Sequence, residues 1–453
     1  MPASPTAALL ADAARRAAAY LDGLGGRSVT PSADAVAALA ALDVPFPEAG
    51  VPASAVVEEL DRRISPATMA VAGPRFFGFV IGGSLPATVA ANLLATAWDQ
   101  NSAKWLVAPG TAAVEKVALR WTLEALGLPP SVAGGFVTGA TVANFTALAA
   151  ARHAVLARAG WDVEARGLFG APPITLVVGG EVHVSVQKAL AMLGLGRERV
   201  VTVPVDGQGR MRADALPALR GPAIVCVQAG NVNTGAFDPA PAIVARAREA
   251  GAWVHVDGAF GLWAAASPRR AHLTAGVADA DSWATDAHKW LNVPYDSGLA
   301  LVRDEAALAA AMGITAAYLP AAGLRDPADA TPELSRRARG VEVWAALRHL
   351  GRAGLAELVE RTCRHAARFA EGLTAAGHRV LNEVVLNQVL VSFGDDARTR
   401  EVIAAIQADG TCWCGGTVWQ GQTAMRISVS SWATTDEDVE RSLAAMVRAA
   451  RRG

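Results

Sequence analysis

Two runs decide how this chain folds: WVHVDGAFGLWAAASP (residues 253–268) and DSWATDAHKWLNVPYDSGLALVRD (residues 281–304). The first opens with an apolar stretch, Trp253-Val254-His255-Val256, and ends on the carboxylate of Asp257. The second starts with a short run and reaches Thr285-Asp286-Ala287-His288-Lys289-Trp290, after which a strand-like run, Leu299 to Val302, follows closely. A carboxylate thus stands at one strand end and a lysine in the loop after the next.

That pairing suits pyridoxal phosphate, which needs a lysine amine for a Schiff base and an acid to keep its pyridine nitrogen protonated. Of 41 basic residues only four are lysines: Lys104, Lys116, Lys188 and Lys289. Lys104 and Lys116 fall on polar or helical stretches ahead of the first core strand, where a solvated role is the default. Lys289 sits between His288 and the apolar Trp290-Leu291, a setting that favours a neutral, nucleophilic amine over a purely structural lysine.

At 453 residues the chain should form two or more domains around a large core. A net charge of −1 supplies no basic field for nucleic acid or an anionic membrane. Four cysteines, Cys226, Cys363, Cys412 and Cys414, make no disulfide framework and point to a reducing, cytoplasmic setting. Cys412-Trp413-Cys414 reads as ordinary thiols, so no metal is expected. The N-terminus lacks a basic n-region and carries Asp12 within its apolar part, which argues against a signal peptide. Phe76 to Trp98 has no charge, but Gly82-Gly83-Ser84-Leu85-Pro86 interrupts it, so a buried segment followed by a packed helix is expected rather than a membrane span.

Residues 1–70 read as helices and loops with too little apolar material to fold alone, and should pack on the main domain or a second subunit. A large domain over 71–343 should follow. From Gly135 strands alternate with helices, which argues for an α/β fold with a largely parallel sheet. Phe136-Val137-Thr138 leads into Gly139-Ala140-Thr141 and an alanine-rich helix pattern, whose start would present backbone N–H groups to a phosphate. Strands are expected at 174–178, 200–205, 223–228 and 254–256, with a helix beginning near His183-Val184-Ser185. The strand ends should line one crevice. The alternation stops after Arg303, which sets a (β/α)₈ barrel aside, and a smaller α+β domain is expected over 344–453.

The motifs PRFFGFV, APGTAAVE, TGATVAN, EVHVSVQKAL, VPVDGQGRM, HVDGAFG, DAHKW and MRISVSSW, in this order, resemble those of the group II pyridoxal-phosphate decarboxylases, the family of aromatic-L-amino-acid and glutamate decarboxylases. The likeness runs from about Pro74 to the C-terminus. It implies the aspartate-aminotransferase type of fold (fold type I, with a seven-stranded-type sheet) and a homodimer with its sites at the subunit interface. It also implies that Lys289 forms the internal aldimine, Asp257 pairs with the pyridine nitrogen and His183 stacks on the ring. Ala140 and Thr141 would contact the phosphate with His288 beside it, and Ala259 would lie under the ring. Phe79 and Trp105 allow an apolar substrate wall. Arg426 could anchor a substrate carboxylate or form a bridge within the small domain.

Two departures stand out. Where relatives carry an A-T-x-G-T-T run, this chain has Gln228 and Gly230-Asn231-Val232. The loop that in those decarboxylases carries a proton-donating tyrosine corresponds to Ala321–Ser335 here and has none; the chain's tyrosines are Tyr20, Tyr295 and Tyr318. The expected activity is α-decarboxylation of an amino acid through a quinonoid carbanion. The alternatives are transamination, Cα–Cβ cleavage or oxidative deamination on the same scaffold, or a silent cofactor-binding scaffold.

Overall fold

The computed structural model describes residues 4–313 and 326–451. Its contacts divide the chain into two compact units. One gathers Met1–Gly83, Arg368–Leu381 and Leu390–Gly453; the other comprises Ser84–Ala367 and Asn382–Val389. This division differs from breaks at 70 and 343. Residues 74–78 are tied to the C-terminal part by the Phe77 N–H, which donates to Trp413 O at 2.8 Å, and by the buried Arg75, 2.9 Å from Asp438. The other break falls inside the long helix Gly340–Ala375.

The second unit is built on seven strands: β1 (Ala133–Val137), β2 (Thr175–Gly179), β3 (Val200–Val203), β4 (Ala223–Gln228), β5 (Trp253–Asp257), β6 (Ser282–Asp286) and β7 (Gly298–Val302). Their order is β1-β7-β6-β5-β4-β2-β3. Neighbours from β6 through β3 run parallel, whereas β7 is antiparallel to both β6 and β1. The exception has a simple cause. Parallel neighbours need a long crossover, usually a helix, and the link from β6 to β7 has none, so the chain returns antiparallel. That short link is the segment carrying Lys289.

β4 to β7 are buried along their whole length, as expected for a sheet covered on both faces. The helix Ala140–Arg158 packs on β6 and β7, and Ala143, Ala147, Ala150 and Ala151 along it are fully buried. Small side chains let its start come close to the strand ends. Register places Asp257 beside Gln228 on one side and Ala284 on the other.

In the first unit the strands β8 (Arg379–Val380), β9 (Gln388–Ser392, whose first two residues belong to the second unit), β10 (Gly415–Trp419) and β11 (Gln422–Ser428) form a small sheet in the order β10-β11-β9-β8. The helix Asp436–Arg451 opens with a reciprocal cap: the Thr435 hydroxyl accepts from Asp438 N–H while the Asp438 carboxylate accepts from Thr435 N–H. The N-terminal helices Pro5–Gly23 and Ala53–Ile64 contain no buried residue. Among the described residues no helix is long and apolar enough to cross a membrane, and the uncharged stretch ends in the helix Pro86–Trp98. All four cysteines are buried and free.

Candidate active site

Lys289 is held by the residues around it. Its neighbours Trp290 and Leu291 are fully buried, and the Trp290 indole donates to Thr362 Oγ1 at 2.9 Å. Ala287 and His288 N–H groups both donate to Ser297 O, which closes the loop on itself. Lys289 Nζ lies 3.0 Å from Asp286 Oδ2, and Asp286 Oδ1 accepts the Ala140 N–H at 2.6 Å. The Asp286 N–H in turn donates to Ala259 O at 2.9 Å. The buried Asp286 therefore joins the lysine and the start of the helix Ala140–Arg158 through its carboxylate, and the turn after β5 through its own N–H. Sequence reading did not single out Asp286; its signal was an acidic side chain three residues before the lysine. Of the other lysines, Lys116 and Lys188 are exposed and Lys104 pairs with Asp326 at 2.8 Å.

The first amide of this helix, at Ala140, is taken by the Asp286 carboxylate. Gly139 stands at the helix cap and offers no side chain of its own, so first-turn amides at Thr141 and beyond have no capping group while the dipole favours negative charge. Close packing explains the glycines: a Cβ on Gly139 would lie 3.0 Å from His288 Cε1, and one on Gly298 would lie 2.6 Å from Gly139 Cα. Burial lowers the His288 pKa more than the Asp286 charge raises it, so the ring is neutral. Its Nδ1 accepts from Ser297 N–H at 3.1 Å, which leaves the proton on Nε2, 3.6 Å from Asp286 Oδ1. Tyr295 stacks on His288 with ring centroids 4.2 Å apart. Desolvation and then the Asp286 charge push the Tyr295 phenol up to about 12. Tyr295 is 55 % exposed, and its phenol is protonated at neutral pH.

Asp257, buried at the end of β5, accepts from three sides. The Ala259 N–H reaches Oδ1 at 3.2 Å, while Asn144 Nδ2 and the Ser185 hydroxyl lie 3.3 and 3.4 Å from Oδ2. His183 caps the helix Val184–Met192: its Nδ1 accepts from Ser185 N–H at 3.2 Å and meets the Ser185 hydroxyl at 2.8 Å. Cap and cluster member are thus the same residue. The departure at Gln228 and Asn231 also finds a place. Gln228 Nε2 donates to Glu181 O and Asn231 Nδ2 to Glu181 Oε2, both at 3.0 Å, bracing the turn that leads to His183.

Ala140, His183, Asp257, Ala259, His288 and Lys289 are therefore linked through a few hydrogen bonds, with Thr141 in the adjoining helical turn. Phe79, Trp105 and Arg426 are not joined to this cluster by such bonds. Phe79 is 60 % exposed and stacks on Trp413 at 5.4 Å. Trp105 donates its N–H to Asp326 and lines a cavity of about 500 Å³ whose wall contains none of the cluster. Arg426, half-buried on β11 with its pKa lowered by desolvation, has no acidic partner among the described residues. Tyr318 and residues 321–325 of the loop lie outside the described residues.

A primary amine, buried carboxylates and a helix start with no cap from its own Gly139, meeting at three strand ends, match the donor set that a phosphorylated pyridine aldehyde requires. A family model described as the pyridoxal-dependent decarboxylase conserved domain matches residues 37–394. An L-2,4-diaminobutyrate decarboxylase of Rhizobium meliloti (strain 1021) is 30% identical, over 90% of this chain and 84% of its own. An aromatic-L-amino-acid decarboxylase of Bacillus atrophaeus is 28% identical over 73% of this chain and 68% of its own. Among solved structures, Oryza sativa TDC with PLP and tryptamine superposes with a TM-score of 0.90 at 23% identity, covering 99% of both chains. Mouse CSAD superposes with a TM-score of 0.89 at 23% identity over 98% of both. These likenesses give the α/β architecture its name, fold type I.

Proposed function

We propose, from the premise that this chain belongs to the pyridoxal-dependent decarboxylase family, that the Lys289 cluster is its active site and removes the α-carboxyl group of a free amino acid. The family makes it a lyase that uses pyridoxal phosphate. The observation carrying the reading is the single carboxylate, Asp286, that holds Lys289 Nζ against the amide at the start of the helix Ala140–Arg158. Bound there, the cofactor supplies an electron sink for the pair left at Cα when carbon dioxide departs. Lys289 Nζ attaches it covalently and afterwards moves protons near Cα. Asp257 would pair with the pyridine nitrogen, His183 would stack on the ring and Ala259 would leave room beneath it. Thr141 and the Nε2–H of His288 would take the phosphate, beside Ala140, whose own N–H is held by Asp286. Arg426, without an acidic partner, is a candidate anchor for a substrate carboxylate; Phe79 and Trp105 are candidate apolar contacts.

The experiment is an amino-acid panel, with acidic, aromatic and diamino side chains, read for carbon dioxide, amine, ammonia and aldehyde in the same samples. Equal yields of amine and carbon dioxide are expected from at least one substrate. A keto acid without carbon dioxide would replace the reading by transamination. A second reading rests on the absence of tyrosine from Ala321–Ser335: decarboxylation with oxygen uptake, giving aldehyde, ammonia and hydrogen peroxide. A relative named 4-hydroxyphenylacetaldehyde synthase, from Rhodiola rosea, is 26% identical over 85% of this chain.

The active form is a homodimer in the cytoplasm, with each site completed at the subunit interface. Supporting this, apolar side chains stand open on the N-terminal segment, among them Leu10, Val44, Phe46, Val51 and Leu60, and on residues 93–107, at Leu93, Leu94, Trp98, Leu106 and Val107. Exposed apolar side chains suit a surface that a second copy covers. Residues 1–70 would wrap the partner. Deleting them should leave aggregated or inactive protein in size-exclusion chromatography; a stable, active dimer would refute this role.

A further inference from the structure

Behind Asp257 lies a set of fully buried polar groups that the reaction itself does not use. His255, Asn144 and Ser282 each have no exposed surface, and Trp253 beside them is also buried. Trp253 Nε1 lies 2.8 Å from Ser282 Oγ, which lies 2.9 Å from His255 Nδ1. His255 Nε2 lies 2.8 Å from Asn144 Oδ1, and Asn144 Nδ2 lies 3.3 Å from Asp257 Oδ2.

The proton positions follow from what each group can donate. A carboxylate only accepts, so Asn144 must turn its NH₂ toward Asp257 and its oxygen toward His255. His255 then carries its proton on Nε2, and Nδ1 is a lone pair filled by the Ser282 hydroxyl. Ser282 still has a lone pair for the indole N–H, which can only donate. The reverse arrangement would set the Asn144 oxygen against Asp257 Oδ2. An imidazolium would leave the Ser282 proton competing with two donors. Burial, which pushes His255 down to about 3, agrees with a neutral ring. The Ser185 hydroxyl is shared with His183, which leaves Asn144 as the principal side-chain donor to Asp257.

We propose that Asn144, His255 and Ser282 are positioning residues for the reaction: a one-way chain of hydrogen bonds, from Trp253 through Ser282, His255 and Asn144, that holds the Asp257 carboxylate in the orientation the cofactor needs. This rests on the reading that Asp257 faces the pyridine nitrogen. Each link spans two different elements, so the chain also locks β5, β6 and the helix Ala140–Arg158 to one another at the site.

Two variants separate positioning from bulk packing. His255→Gln keeps an N–H donor directed at Asn144, whereas His255→Leu fills the space without one. His255→Leu should keep the cofactor's visible absorbance but lose about 10–100-fold in kcat at little-changed KM, while His255→Gln stays near wild type. Equal kcat in the two variants would overturn the proposal. If His255→Leu does not fold, nuclear magnetic resonance of the wild-type holoenzyme with isotope-labelled histidine decides independently. It should show His255 as the neutral Nε2–H tautomer, and an Nδ1–H form or an imidazolium would overturn the chain. Failure of the underlying reading looks different, since Asp257→Ala would then keep its kcat whatever the tautomer of His255.

Discussion

Replacing Lys289 with alanine is expected to lower turnover by about 10⁴-fold, because in the proposed site it would remove both the covalent anchor and the nearest proton carrier. The effect should exceed that of any other single lysine. Lys116 and Lys188 are exposed and Lys104 is committed to Asp326, so none can take over the amine's place. Borohydride reduction of the wild-type enzyme followed by peptide mass spectrometry should find the cofactor on the peptide containing Lys289. An adduct on Lys188 would move the site. The variant should still fold, since what it removes among the described residues is one ion pair, with Asp286, and this is checked by its melting temperature.

The second large effect is expected at Asp257. In the proposed site alanine there would remove the charge partner of the pyridine nitrogen, but the helix start and Lys289 remain, so bound cofactor should persist in the absorbance spectrum. Loss of an interaction that matters most as charge develops should fall on kcat, by about 10²–10³-fold, with KM little changed. A near-normal kcat in Asp257→Ala would place the cofactor's acid elsewhere. Asn144, His255 and Ser282 should show the same split between kcat and KM, with smaller losses.

Much of this architecture was legible in the residues because its signals are local. β4 and the buried runs around Val254 and Leu299 are continuous apolar stretches bounded by glycine and polar residues, and parallel-sheet strands read that way. β10 was missed: Gly415-Gly416-Thr417-Val418-Trp419 opens with two glycines and alternates weakly, so only its pairing with β11 makes it a strand. The antiparallel course of β7 was implicit in the short lysine loop, yet it became evident only once β7 was seen between β6 and β1.

By itself the sequence offered one lysine and one strand-end carboxylate as candidate partners of a cofactor, and the small residues at the start of the helix Ala140–Arg158. Those features are chemical, and they survive without coordinates because few residue types can perform them. Tertiary structure alone decided the role of Asp286, which joins Lys289 to the Ala140 amide, and the line of donors from Trp253 to Asp257. Asn144 and His255 stand 111 residues apart, and His255 and Ser282 27 apart. Hydrogen bonds across such separations depend on strand register and on how closely an alanine-rich helix packs on the sheet, and no local pattern in the chain carries that information.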